Sequence, residues 1–136
     1  MVAAAADGLD GVEADDTEIQ QGGPTYTADT LAALAKRYPG AELVLLVGAD
    51  VAVRMDTWAR PEEVRRRATI VVMTRPGSDQ IRLPEGWQYQ VLEVPAYDIS
   101  STEVRRRVAA GEVISDLVPA GVASVIEEVG LYREVG

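Results

Sequence analysis

Three short apolar runs constrain this chain more than any other feature. They are Glu42-Leu43-Val44-Leu45-Leu46-Val47, Ala68-Thr69-Ile70-Val71-Val72-Met73 and Tyr89-Gln90-Val91-Leu92-Glu93-Val94. The first is apolar on both faces and closed by Gly48, the pattern of a buried strand in a parallel sheet. Helix-like sequence alternates with these runs. Thr27 to Tyr38 reads as a helix, with Leu31, Leu34 and Tyr38 at helical spacing and Pro39-Gly40 ending it. Pro61-Glu62-Glu63 opens another, because proline is tolerated at the first helical position and carboxylates favour the positive end. Thr102 to Ala110 and Pro119 to Val129 complete the set, the last ended by Gly130. Met1 to Ala6 reads as the tail of a helix, Val12 to Ile19 as a short acidic strand, and residues 49–60 as an irregular connection. Alternating helices and apolar strands predict a three-layer α/β domain around a mainly parallel sheet.

Composition limits the chemistry. The chain has 136 residues and contains no cysteine and no histidine. Disulfides, thiolate chemistry and imidazole acid–base or metal chemistry are therefore excluded within it. The lack of cysteine fits a cytoplasmic location. No apolar run is long enough for a transmembrane helix, and Met1 to Ala6 lacks the basic start of a signal peptide. The net charge is −9, with no base before Lys36 and near balance afterwards. That distribution argues against a broad nucleic-acid surface. Two arginine triplets stand out, Arg65–Arg67 and Arg105–Arg107, and the first reads as a solvated helix face.

Ile99-Ser100-Ser101-Thr102-Glu103-Val104-Arg105 is the segment richest in binding chemistry. It combines three adjacent hydroxyls, a helix start and an arginine. Free N–H groups at a helix N-terminus, hydroxyl donors and a guanidinium fork together suit phosphate. Ser100 followed three residues later by Glu103 also fits a capping box, which needs no ligand. Ligands in open α/β sheets sit beyond the carboxyl ends of strands. Three segments are expected there: Gly48-Ala49-Asp50, Thr74-Arg75-Pro76-Gly77, and Ile99 to Arg105.

The order of these motifs resembles bacterial nicotinate-nucleotide adenylyltransferases. The matching segments are Gly22-Gly23-Pro24-Thr25-Tyr26-Thr27-Ala28-Asp29-Thr30-Leu31, Val47-Gly48-Ala49-Asp50, Thr57-Trp58, Thr74-Arg75-Pro76-Gly77, Ile99 to Arg105, Leu117-Val118-Pro119 and Gly130-Leu131-Tyr132. The resemblance implies a Rossmann-like nucleotidyltransferase fold over residues 1–136 as a single, incomplete domain. It implies adenylyl transfer from ATP to nicotinate mononucleotide, with Mg2+ bound to the ATP. Ser100, Ser101, Thr102 and Arg105 would hold the ATP phosphates, and Gly48 and Asp50 the adenosine. Thr27, Trp58 and Arg75 would bind nicotinate mononucleotide, with Trp58 stacked on the ring. Plainer roles compete at five of these positions: a strand-ending turn for Gly48, a helix cap for Asp50, an N-cap for Thr27, a half-buried core aromatic for Trp58 and a surface ion pair for Arg75.

The family's His-x-Gly-His signature, which contacts the ATP phosphates, has no counterpart in this chain. The resemblance therefore implies a C-terminal portion lacking the first strands and helix, with no catalytic residue of its own and little activity alone. It also implies exposed Val and Leu where two central strands would lie, between the Val12–Ile19 and Glu42–Val47 strands. Neither nucleic acid nor membrane is an expected partner; a homo-oligomer is left open. Two alternatives stand beside this reading: another adenylyltransferase of the superfamily, such as a phosphopantetheine adenylyltransferase, and a non-catalytic nucleotide-binding or interaction module. Trp87 and the polar loop around it match no motif, and Trp87 reads as a surface packing residue.

Overall fold

The computed structural model describes residues 1–78 and 80–133. They form two compact units, residues 16–78 with 80–96 and residues 1–15 with 97–133.

The unit of residues 16–96 is built on a parallel sheet in the order β1 (Leu43–Gly48), β2 (Ala68–Thr74), β3 (Tyr89–Glu93). Leu45 faces Ile70 across the first pairing and Val72 faces Val91 across the second. Because side chains alternate along a strand, this register puts Leu43, Leu45, Val47, Ile70, Val72 and Tyr89 on one face. That face packs on α3 (Thr27–Arg37) and α5 (Pro61–Arg67) through Ala28, Leu31 and Val64. The three apolar runs are thus strands, all parallel, as expected.

The expectation that β1 is buried on both faces does not hold. Val44 and Leu46 are 52% and 56% exposed. As an end strand of this sheet, β1 is covered by helices on one face and leaves its opposite face open. Its apolar run therefore marks a strand with two apolar faces, of which one is packed.

Two further expectations are corrected. Val12 to Ile19 is not a strand: residues 12–16 are irregular and α2 runs over Thr17–Gln21. The segment has apolar residues only at its ends and between, at Ala14, with acids around it, so no period-2 face exists to bury, and Ile19 is 82% exposed. Carboxylates before and within the first turn favour helix instead; Gln20 also donates to the Asp16 carboxylate at 2.9 Å. Nor is the stretch 49–60 wholly irregular. It holds α4 (Ala49–Ala52) and a 3-10 turn, Met55–Thr57. These turns bring Ala52 and Met55 into the core, where both are fully buried.

The second unit is helical. It contains α1 (Val2–Ala6), α6 (Ser101–Ala110) and α7 (Ala120–Val129), packed around Val104, Ile114, Val122 and Ile126. Gly130 ends α7 in the left-handed region, a conformation that favours glycine. Gly121 matters for a different reason: a Cβ there would lie 3.2 Å from the Ala4 carbonyl oxygen, so glycine lets α1 rest on α7. Among the described residues no helix is long and apolar enough to cross a membrane.

Candidate functional site

The start of α6 is assembled as a cap first. Ser100 is the N-cap, in extended conformation, and its Oγ accepts from the Glu103 N–H at 3.1 Å. The reciprocal half of a capping box is missing. Glu103 turns its carboxylate forward to Arg106 and Arg107, each 2.9 Å away. Those two guanidinium groups hold the Glu103 carboxyl at about 2, well below its ordinary value. Arg106 also grips Glu112 at 2.9 Å, and Arg107 reaches Asp116 at 3.0 Å. Arg106 lowers the pKa of Glu112 as well.

Two of the three arginines on α6 are therefore engaged in ion pairs, whereas Arg105 has no such partner among the described residues. Arg105 lines a cavity of about 400 Å³ together with Ile99, Ser100, Ser101 and Val104. Three of the four residues expected to hold phosphate thus share one cavity at one helix N-terminus. Thr102 is exposed on the same first turn and is not among the lining residues.

In the sheet unit, Gly48 ends β1 and Arg75 follows the end of β2. Gly48 is paired in register with Met73, so both segments lie at the carboxyl edge of the sheet, as expected. Gly48 has ordinary extended backbone angles, and a Cβ there would sit 3.1 Å from the mobile carboxylate oxygen Oδ1 of Asp50. Asp50 does not cap α4. Gly48 occupies the cap position and Asp50 lies inside the helix, exposed. Arg75 is exposed, with no acidic partner among the described residues.

Thr27 is not an N-cap. Tyr26 takes that position, without a side-chain bond, and Thr27 opens α3 half-buried. Trp58 follows the 3-10 turn and is half-buried against the core that α3, α5 and the sheet share. Its backbone N–H donates to the Met55 carbonyl at 3.1 Å.

Trp87 is not a surface residue. It is 7% exposed and belongs to the core. A chain with no phenylalanine and two tryptophans has few large aromatics with which to fill a core, and that was the available sequence signal. Its indole donates to Asp56 at 2.6 Å. Nor is the Arg65–Arg67 triplet wholly solvated. Arg65 is half-buried, pairs with Asp56 at 3.4 Å and lies over the Trp87 ring, while Arg66 and Arg67 are exposed. Asp56 and Arg60, which fix the segment around Trp58, carry no motif of their own.

Among the described residues no group of three histidine, cysteine or acidic side chains is placed to hold a metal ion.

A parallel sheet with glycine and hydroxyl-rich turns after its strands, packed on helices, has the architecture of a Rossmann-like nucleotidyltransferase. The solved structures agree on the fold. A Plasmodium falciparum nicotinic acid mononucleotide adenylyltransferase complexed with APC superposes with a TM-score of 0.58 at 19% identity, over 81% of this chain and 59% of that one. The same enzyme complexed with NaAD gives 0.56 at 19% identity, over 80% and 58%.

Residues 1–107 match the cytidylyltransferase-like family. The chain is 45% identical to a probable nicotinate-nucleotide adenylyltransferase of Corynebacterium kroppenstedtii, over 88% of this chain and 58% of that protein. It is 38% identical to the protein of the same name from Gemmatimonas aurantiaca, over 98% and 67%. The chain belongs to the cytidylyltransferase-like family, among the nicotinate-nucleotide adenylyltransferases. It spans 58%, 67% and 55% of the length of three such relatives.

Proposed function

We propose that this chain supplies the nucleotide-binding part of an enzyme that transfers the adenylyl group of MgATP to nicotinate mononucleotide, giving deamido-NAD and pyrophosphate in NAD biosynthesis. The observation that carries the reading is Arg105. Its two neighbours are engaged in ion pairs, whereas Arg105 has no ion-pair partner among the described residues and lines a cavity with Ser100 and Ser101 at a helix N-terminus. A cation left free beside hydroxyl and N–H donors is arranged for a polyanion.

In this reading Ser100, Ser101, Thr102 and Arg105 bind the triphosphate. Gly48 admits the adenosine close to the backbone, and Asp50 accepts from its ribose hydroxyls. Thr27 and Arg75 hold the mononucleotide, and Trp58 stacks on its nicotinate ring. A phosphate oxygen of the mononucleotide attacks the α-phosphorus of ATP in line. The bond from that phosphorus to the bridging oxygen breaks, and pyrophosphate leaves with the magnesium. No protein nucleophile takes part, so the residues act by positioning and by stabilising charge. In this reading residues 1–136 belong to a single, incomplete nucleotidyltransferase domain acting in the cytoplasm, with neither nucleic acid nor membrane as a partner.

The test is adenylyl transfer from MgATP to nicotinate mononucleotide, measured on this chain and on a version carrying the family's His-x-Gly-His segment ahead of Met1. The histidine-free chain is expected to turn over little and the extended one readily. A well-folded protein that transfers in neither form would replace this reading with a non-catalytic nucleotide-binding module. Preference for a pantetheine phosphate acceptor would replace it with the other adenylyltransferase class.

A further inference from the structure

Three separate segments meet at the carboxylate of Asp56, two residues before Trp58. Trp87, in the loop ahead of β3, donates its indole N–H to Asp56 Oδ1 at 2.6 Å. Arg65, from α5, reaches the same oxygen at 3.4 Å and stacks its guanidinium 4.9 Å from the centre of the Trp87 ring. Met55, beside Asp56, is fully buried. Inside the turn, the Thr57 hydroxyl donates to the Arg54 carbonyl at 2.6 Å, and the Trp58 N–H closes on Met55. The turn is therefore stiff, and it is held to the core by Met55 packing, by the half-buried side of Trp58 and by Asp56, with the Arg60–Asp29 ion pair two residues beyond Trp58.

A buried indole N–H requires an acceptor. Here the acceptor lies on the turn that ends in Trp58, so satisfying the core tryptophan also fixes the exposed-side one. The cation over the Trp87 ring reinforces the arrangement, since it binds the ring face and the carboxylate at once.

We propose that Trp87 is a positioning residue for aromatic-base recognition: acting through Asp56, with Arg65 bracing both, it sets the orientation in which Trp58 offers its ring to the nicotinate of the mononucleotide. The proposal rests on the stacking role of Trp58 given above. It assigns ligand selectivity to a residue buried in the core that does not itself touch the ligand.

Trp87→Phe tests it, because it keeps an aromatic ring beneath Arg65 while removing the N–H donor, along with the volume of one fused ring. Dissociation constants for nicotinate mononucleotide and for MgATP are measured on the same protein. The mononucleotide constant is expected to rise about three- to tenfold, the scale on which small misplacements cost binding, while the MgATP constant stays within about twofold. Asp56→Ala should reproduce this split, and the double variant should be no weaker than Asp56→Ala alone, because both remove one interaction. In a Trp58→Ala background, Trp87→Phe should have no further effect on the mononucleotide. An unchanged mononucleotide constant, an equal loss for both ligands, or an undiminished effect without Trp58 would each overturn the proposal. Should Trp87→Phe not fold, Asp56→Ala carries the same three readouts. If the unsubstituted protein binds MgATP but not the mononucleotide, the stacking role of Trp58 falls first and this proposal with it.

Discussion

The Arg60 guanidinium grips the Asp29 carboxylate across 31 residues of chain. Asp29 lies in the first turn of α3, two residues beyond Thr27, and Arg60 caps α5, two residues beyond Trp58. One ion pair thus ties together the two segments expected to recognise the mononucleotide. Arg60 pays with its backbone, held at φ 51 and ψ 58, a left-handed conformation that side-chain-bearing residues adopt at a cost. The hydrogen bond and charge of Asp29 raise the Arg60 pKa further above its already high value.

Substitution at Arg60 should separate these two contributions. Arg60→Gly loses the pair but relaxes the left-handed backbone, whereas Arg60→Val loses the pair and worsens the strain. The thermal midpoint is expected to fall clearly for Arg60→Val and little for Arg60→Gly. Equal midpoints for the two variants would show that the backbone conformation carries no strain.

Ser100 has both a capping role and a proposed phosphate role, and two substitutions divide them. Ser100→Ala removes the cap to Glu103 and should lower stability by about 1 kcal/mol, read by denaturant unfolding. Ser100→Asp restores a cap and suits the helix dipole, so stability should return. MgATP affinity should nevertheless drop further in Ser100→Asp than in Ser100→Ala, because a fixed carboxylate repels the triphosphate. The reverse order of affinities would count against a phosphate site at this helix start.

Gly48→Ala should leave stability nearly unchanged, because the atom its Cβ meets is the mobile carboxylate of Asp50, 3.1 Å away. Moving that carboxylate by a few tenths of an ångström should weaken MgATP binding by roughly three- to tenfold, measured by titration. Unaltered affinity would detach Asp50 from the ribose.

Acid should act on the helical unit through Glu103 and Glu112. Both carboxyls are held below their ordinary value of 4.5 by the arginines of α6, Glu103 to about 2. A carboxyl depressed in the folded state stabilises it above the unfolded value and loses that contribution as pH falls through the folded one. Helix content followed by circular dichroism should therefore decline as pH falls from about 4.5 toward 2. In Glu103→Gln this acid-dependent loss should shrink.

Gly121→Val should force α1 off α7, since the clash is with backbone, 3.2 Å from the Ala4 carbonyl, and backbone cannot swing aside. The expected cost is about 1–3 kcal/mol in unfolding free energy. An unchanged unfolding curve would mean that α1 contributes nothing to this unit.

Where the determining physics is local, the sequence was readable. Continuous β-branched and aliphatic residues made β1 and β2 recognisable. Pro61 with two glutamates started α5, Ser100 capped α6, and Gly130 stopped α7. The hydroxyl-rich helix start at Ser100 and the glycine that ends β1 were visible for the same reason: hydroxyls, glycine and helix starts act over a few residues of chain.

What sequence left open depended on partners far along the chain. The carboxylates around α2 were a local helix signal, but the Thr30 hydroxyl that donates to Glu18 at 2.8 Å comes from 12 residues further on. The apolar run of β1 did not reveal by itself which face would be packed; Val44 and Leu46 lie on the face away from the core cluster, in line with the exposed Val and Leu that the resemblance implies beside this strand. Arg105, Arg106 and Arg107 are identical in sequence terms. Only the positions of Glu103, Glu112 and Asp116 make two of them structural and leave the third without an ion-pair partner among the described residues. Trp87 reads as a surface residue until Asp56, 31 residues away, accepts its indole proton and lets it be buried. Sequence by itself determined the local elements and the family chemistry. Tertiary structure decided which charges are spent on each other and which remain free, because the desolvation and pairing of a side chain are set by what the fold brings beside it.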